Sequence, residues 1–312
     1  MIEWGINALN HDASIAVFDN NELLFHRRSS EYSGKHGDPN LNEDIVGNAL
    51  RFGYPDKIYW YERPWIKKTR QLRAGQFYWA ANIFELPSMY LQDFIIETPI
   101  SYTAHHLSHA AAGYYTSPFN HCAVVVIDAI GEWESMSIWQ GSHNELKKLW
   151  SRSYPESLGL FYSAFTKLIG LKPTQEEHLL QKLSSEGDAS RYYNEVKKRY
   201  AQNLHRGVTD WPYEIDDMAK RDIAASVQQV FEERVDEIMT LAQNLTDSKA
   251  LVYMGGCAMN SKYNQRLEEK WQFTWSLPWP GDASSAVGAW AAKKKIRVDY
   301  SKGIVKHLNI RV

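Results

Sequence analysis

The sequence of 312 residues predicts an α/β fold built from two similar lobes. A unit of strand, polar loop, strand, turn and strand begins at the N-terminus and recurs about a hundred residues later, with helical segments after each copy. The predicted strands are Ile2–Ala8, Ser14–Phe18 and Glu22–His26 in the first copy, and Ala123–Ile127, Ser135–Trp139 and Leu146–Trp150 in the second. We therefore assign residues 1–120 to a first lobe and 121–312 to a second, whose C-terminal segment can pack back on the first.

The remaining elements follow from local patterns along the chain. Lys220–Asn244 has apolar residues at helical spacing, which predicts a long helix with one buried face. Leu251–Met254 is an apolar strand that leads into the glycine turn Gly255-Gly256. A second glycine turn, Gly281–Ser285, precedes the small-residue helix Ala286–Ala292. Small residues at a turn let an anion approach the backbone, so both turns are candidate phosphate sites.

Composition excludes some classes of partner and compartment. Hydrophobic residues make up 44% and charged residues 23% of the chain, and the net charge is -2, which gives no electrostatic argument for nucleic acid or an acidic membrane. The N-terminus is too polar for a secretory signal, and no apolar run reaches membrane-spanning length. Cys122 and Cys257 lie beside apolar runs, so we predict reduced core thiols and a cytoplasmic protein with no membrane association.

A metal site is predicted by the segment His105-His106-Leu107-Ser108-His109 together with two distant aspartates. On a helix, His105 and His109 lie on one face, one turn apart. Two imidazoles with the carboxylates of Asp128 and Asp282 form a ligand set suited to a divalent transition metal. A zinc protease would need a glutamate after the first histidine, and His106 occupies that position, so a protease is disfavoured.

Several blocks of the chain resemble, in the same order, the NodU/TobZ family of O-carbamoyltransferases. The blocks are Gly5–Asn7 with His11–Ser14, Tyr61–Pro64, His105–Ala111, Asp128–Glu134, Ser157–Phe165, Asp222–Gln228, Gly255–Asn260 and Gly281-Asp282. The resemblance implies an actin-like ATPase fold (sugar kinase/actin type) with two duplicated lobes. It also implies kinship to TsaD-type enzymes, which transfer a carbamoyl-type group to tRNA.

The resemblance further implies an activity and roles for individual residues. Members pass a carbamoyl group from carbamoyl-adenylate to an acceptor hydroxyl on a small molecule. His105, His109, Asp128 and Asp282 would be the metal ligands, with Fe(II) the expected ion, and His11 would be the general base. The residues expected to hold carbamoyl-adenylate or another ATP-derived nucleotide are Asp12, Ser14, Gly255, Gly256 and Asn260. For His11, a loop histidine capping a turn remains an equal alternative.

The chain also departs from the family pattern. Full-length members carry a YrdC-like domain that makes carbamoyl-adenylate, and we expect it to be absent here, so that a separate YrdC-like protein supplies the donor. Within the segment Glu177–Ser184, Leu179 and Lys182 stand where the family has lysine and glycine, so family contacts are not transferred to it.

Two alternatives to a carbamoyltransferase for small hydroxyl compounds remain open. One is TsaD-like transfer to a nucleoside or nucleic acid, which the near-neutral charge disfavours without excluding it. The other is a non-catalytic scaffold or regulatory subunit, which the complete set of metal ligands disfavours. A basic run, Lys67, Lys68, Arg70 and Arg73, is typical of a solvated helix face and receives no role.

Overall fold

A computed structural model describes residues 1–303 of the chain. Its strands are β1 Ile2–Asn7, β2 Ser14–Asp19, β3 Glu22–Arg28, β4 Lys57–Trp60, β5 Ile100–Tyr102, β6 His121–Gly131, β7 Glu134–Ser142, β8 Glu145–Ser153, β9 Ala250–Met254 and β10 Phe273–Trp275. Its α-helices are α1 Ser30–Ser33, α2 Glu43–Leu50, α3 Pro64–Arg73, α4 Phe77–Ala81, α5 Pro87–Gln92, α6 His105–Thr116, α7 Leu158–Leu168, α8 Glu177–Leu183, α9 Tyr193–Arg199, α10 Asp217–Thr246, α11 Ser261–Asn264, α12 Leu267–Lys270, α13 Ser285–Lys294 and α14 Tyr300–Gly303.

The two five-stranded sheets share one topology. The first has the order β3-β2-β1-β4-β5, and the second has the order β8-β7-β6-β9-β10. In each sheet the central strand, β1 or β6, pairs antiparallel with the following strand and parallel with β4 or β9. This correspondence confirms the prediction of an α/β fold with two similar lobes.

The six hairpin strands and the long helix occur where the sequence predicts them. The central strands are buried on both faces, as their continuous apolar runs require. Helix α10 begins where the Asp216 side chain accepts a hydrogen bond from Ala219 N at 2.7 Å, and it ends at Asp247 in the left-handed conformation. The buried face of α10 includes Ile223, Val227 and Val230, which pack in the core of the second lobe.

The sequence predicts a polar loop at Asp128–Glu132, between the first two strands of the second copy, but only Glu132 lies in a turn. Strand β6 continues to Gly131, and its register with β7 shifts between Ile127 and Gly131. Such an irregularity bends a strand and re-aims its side chains, which the local sequence does not reveal. Asp128 therefore lies within a strand, at the point where its regular pairing stops.

The basic run after residue 66 is not a solvated helix face. Lys68 and Arg70 are buried within α3. The Lys68 ammonium donates to the carbonyl oxygens of Trp79 at 3.1 Å and Asn82 at 2.7 Å, so it fixes the segment that follows the helix. Lys67 donates to Glu62 at 2.8 Å and to the Leu9 oxygen at 3.3 Å.

Helices α6 and α13 pack closely at the centre of the molecule. Helix α13 also packs on β1, so that Trp290 stacks on Phe18 with ring centroids 3.9 Å apart. A Cβ atom on Gly288 would lie 1.7 Å from the Ser108 carbonyl oxygen, so only glycine permits this approach. The close packing fixes the helix that carries His105 and His109.

We expect Gly288→Ala to destabilise the protein by about 3 kcal/mol, since the added methyl must force two backbones apart. Gly47→Ala is the matched control, because a Cβ there meets nothing within 4 Å on helix α2. That change is expected to stabilise by about 0.5–1 kcal/mol. Urea denaturation of both variants measures the difference, and equal stabilities would contradict the packing described.

Two further findings concern the cysteines and the helices. Cys122 and Cys257 are both free and buried. The helices of residues 1–303 include none whose length and apolar character together would carry it through a lipid bilayer.

Candidate metal centre and the cleft beside it

Four buried side chains from three parts of the chain meet at one point. Helix α6 begins with His105 and places His109 one turn later, β6 supplies Asp128, and the turn before α13 supplies Asp282. One ligand atom from each residue lies within 4.8 Å of the other three. The structure therefore brings together all four residues predicted as metal ligands.

The distances within this cluster fit a shared metal ion. His105 Nε2 lies 3.1 Å from Asp128 Oδ2 and 3.1 Å from His109 Nε2. His109 Nε2 lies 3.1 Å from Asp282 Oδ1. Ligand atoms bonded at about 2.0–2.2 Å to one ion stand roughly 2.8–3.6 Å apart in tetrahedral or octahedral arrangements. Two imidazole nitrogens and two carboxylate oxygens at such spacing suit a divalent transition metal.

His11 borders the cluster from the loop between β1 and β2. Its Nε2 lies 3.5 Å from Asp282 Oδ2, and its Nδ1 lies 3.5 Å from Asp12 Oδ2. Leu9 and Asp12 have φ values of 70° and 51°, conformations that non-glycine residues adopt at some cost. The Asn7 side chain holds the loop by donating to the backbone oxygens of His11 and Asp12.

Electrostatics in the cluster favour the ionised form of both aspartates. Burial opposes ionisation, but the hydrogen bond from His105 leaves the pKa of Asp128 lowered. For Asp282, burial is likewise outweighed, chiefly by the charges of His11 and His105, and the pKa is lowered well below its usual range. Burial would lower the pKa of His11, but the charge of Asp282 and the hydrogen bond to Asp12 raise it to about 9.

A cleft of about 360 Å³ opens between the lobes beside the cluster. His11 and Asp12 line it from the first lobe, and Asp128, Gly256 and Asn260 line it from the second. The far wall consists of Gly159, Tyr162 and Ser163 of α7, and of Glu177, His178 and Gln181 of α8. Such a volume is in the range of small-molecule sites.

Three predicted nucleotide residues have other contacts in the structure. Ser14 is fully buried and donates to the Ala283 oxygen at 2.7 Å, so it supports the turn carrying Asp282. Gly255 N donates to the Pro280 oxygen at 2.8 Å, and Gly256 N donates to Asp128 Oδ1 at 3.2 Å. The glycine turn thus positions Asp128 of the cluster, and its two amides are already engaged.

Other residues of the centre received no role from the sequence. Asn10 donates to Asp282 Oδ2 at 2.9 Å, although 272 positions separate them. Glu62 lies behind His105, and the altered segment contributes Glu177, which accepts a hydrogen bond from Ser163 at 2.7 Å. Glu62 stands in the block Tyr61–Pro64 and Asn10 directly precedes the block His11–Ser14, but only the fold shows what they contact.

His26 supports the Asp282 turn from β3. Its Nε2 lies 2.9 Å from the Ala283 oxygen and its Nδ1 2.8 Å from the Tyr300 hydroxyl. Burial, which exceeds the opposing effect of the Ala283 hydrogen bond, lowers the pKa of His26 from 6.5 to about 4. Between about pH 6.5 and pH 4, His26 binds a proton more readily in the unfolded chain than in the folded protein, so its protonation favours unfolding.

We expect acidification from about pH 6.5 to pH 4 to lower the free energy of unfolding through His26. The glutamine in His26→Gln cannot take up a proton. The free energy of unfolding of this variant should therefore change less with pH than that of the unchanged chain, by up to about 1.4 kcal/mol per pH unit. Urea denaturation of both proteins across the interval measures the two slopes. The lost hydrogen bonds of His26 lower the stability at every pH, whereas its protonation changes the slope of stability against pH. Identical slopes in the two proteins would therefore contradict the assignment.

The fold and the site together define an α/β protein of two similar lobes with a buried two-histidine, two-aspartate cluster at its interlobe cleft. Residues 68–291 match the family model described as Carbamoyltransferase N-terminus. The chain belongs to this carbamoyltransferase family.

Relatives in sequence agree with this assignment. An uncharacterized protein of Synechocystis sp. is 27% identical, with 91% of this chain and 55% of the relative covered. An uncharacterized protein of Methanocaldococcus jannaschii is 26% identical over 92% of this chain and 56% of the relative. Nodulation protein NolNO of Sinorhizobium fredii is 27% identical over 61% of this chain and 30% of its own length. The chain thus spans about half or less of the length of these relatives.

Among solved structures, full-length HypF in its phosphate- and nucleotide-bound form is similar in fold. The TM-score is 0.56 at 12% sequence identity, and the match covers 94% of this chain and 55% of HypF. At this identity the likeness concerns the fold alone.

Proposed function

We propose that the protein is a metal-dependent O-carbamoyltransferase that passes a carbamoyl group from carbamoyl-adenylate to an acceptor hydroxyl. The observation that carries the proposal is the position of His11, which lines the cleft within 3.5 Å of a carboxylate of the metal-type cluster. A candidate base, an ion site and a cavity for substrates therefore adjoin one another in a member of the carbamoyltransferase family.

His105, His109, Asp128 and Asp282 would hold the ion, for which we propose Fe(II). Bound there, a divalent ion polarises and anchors oxygen atoms of the donor or the acceptor. Asn10 and the Gly256 amide keep the two aspartates aimed at the cluster, since each donates to a carboxylate oxygen. The protein thus presents its ligands before the substrates arrive.

The reaction requires a base, because an alcohol is far too weak an acid to ionise at neutral pH. The acceptor oxygen attacks the carbamoyl carbon, the hydroxyl proton passes to His11 Nε2, and the carbamoyl–phosphate bond breaks to release AMP. His11 must be neutral to accept the proton, yet Asp282 raises its pKa to about 9. A divalent cation offsets the charge of Asp282, so the loaded centre would return His11 to its basic form.

The donor would occupy the cleft beside the glycine turn. Asn260 and Gly256 line this wall, and a Cβ on Gly256 would lie 3.0 Å from Asp128 Oδ1, so glycine lets the backbone approach the proposed metal ligand. Asp12 faces the same cleft from the first lobe. The acceptor would enter on the side of His11.

Synthetic carbamoyl-adenylate supplied directly tests the proposal without any activating protein. The 312-residue chain is incubated with the donor and a panel of sugars, nucleosides and other hydroxyl compounds, and both AMP and carbamoylated products are quantified. We expect AMP release that rises with at least one acceptor. If AMP were released only at the rate of spontaneous hydrolysis, both with every acceptor and without one, the scaffold alternative would be favoured.

A further inference from the structure

One polar pair behind the cluster has no role in the steps above. Glu62 is buried at the end of β4, and its side chain is 6% exposed. Lys67, one turn into α3, donates to Glu62 Oε1 at 2.8 Å. The space beside the pair, about 10 Å³, holds a water molecule at most, so the pair does not itself bind a ligand.

The other Glu62 oxygen faces a buried nitrogen of His105. His105 Nδ1 forms no hydrogen bond with the residues the structure describes, and Glu62 Oε2 lies 3.9 Å from it. The Tyr61 ring packs against the His105 ring, with centroids 5.3 Å apart, which keeps the imidazole in place. A movement of about 1 Å would bring the two atoms within hydrogen-bond distance.

The geometry points to Glu62 as the residue that positions His105 for the metal, an assignment that rests on the proposed metal centre. His105 Nε2 faces the other three ligands, so binding an ion there requires the proton on Nδ1. A carboxylate facing Nδ1 fixes that tautomer and makes the imidazole a stronger ligand.

Lys67 also contacts the loop between β1 and β2, which carries His11. Because it occupies Oε1, it leaves Oε2 directed at His105. The same ammonium donates to the backbone oxygen of Leu9, the left-handed residue two positions before His11. We therefore infer that Lys67 couples the metal side of the centre to the loop that carries the base. This gives a function to one member of the basic run.

The test measures the affinity of the metal-free chain for Co(II) alone, by competition with a chelating dye, together with the visible spectrum of the bound ion. Glu62→Gln should bind Co(II) about 10–100-fold more weakly and alter its spectrum, since a neutral amide cannot act as the carboxylate does. Lys67→Met, which keeps Glu62, should weaken binding less and change the spectrum in the same direction.

Lys68→Met is the matched control, because it removes a buried lysine whose ammonium donates to backbone oxygens of the segment after α3. It should lower the melting temperature of the metal-free chain yet leave Co(II) affinity unchanged. Equal affinity in the unchanged chain and in Glu62→Gln would overturn the role of Glu62. Absence of Co(II) binding by the unchanged chain would instead overturn the metal centre, and this inference with it.

Discussion

Replacement of His109 or Asp282 by alanine should reduce the metal content from about one ion per chain to nearly none. Each supplies an atom to the four-residue cluster, and both are fully buried, so water replaces neither ligand well. Elemental analysis of protein purified without chelator measures the effect.

His106→Asn is the control for this experiment. His106 follows His105 on the same helix, but its Nδ1 lies 2.8 Å from the Ser137 hydroxyl and takes no part in the cluster. The control should therefore retain the ion. Full metal content in both the His109 and Asp282 variants would show that the ion binds elsewhere.

Removal of His11 should lower the rate of carbamoyl transfer by about 10²–10⁴-fold, the contribution expected from a general base. Nucleotide affinity should remain nearly unchanged in His11→Ala, because the proposed role concerns the acceptor proton. Single-turnover rates with synthetic carbamoyl-adenylate, together with a titration of nucleotide binding, separate the two effects.

His36→Ala serves as the matched control, since His36 lines the same cleft but is exposed at its edge. Its transfer rate should stay within about twofold of the unchanged chain. If His11→Ala lost nucleotide binding and transfer to the same extent, His11 would be a residue of the nucleotide pocket and the proton would pass elsewhere.

The local patterns of the sequence predict the hairpins and the long helix well. Alternation and turn residues fix β2, β3, β7 and β8 because their partners lie a few residues away, where turn chemistry sets the register. The cluster of His105, His109, Asp128 and Asp282 was also predictable. The two histidines are four residues apart on one helix, and Asp128 and Asp282 lie within blocks that resemble the carbamoyltransferase family.

Other interactions between segments distant in sequence could not be predicted. Asn10 reaches Asp282 only because the β1–β2 loop and the α13 turn approach each other in the fold. The basic run was misleading for the same reason: charge alone does not show that Lys67 has a carboxylate and Lys68 two carbonyl oxygens to contact. The hydrogen bonds made by the amides of Gly255 and Gly256 likewise depend on Pro280 and Asp128.

If the centre works through a bound ion, the rate of carbamoyl transfer must depend on that ion. Two measurements of this rate on the same preparation test the dependence most directly. Single-turnover carbamoyl transfer is followed after the protein has been stripped of metal, and again after one equivalent of Fe(II) is restored without oxygen. The account predicts near-background transfer by the stripped chain and recovery on reloading. Equal rates in the two states would contradict it.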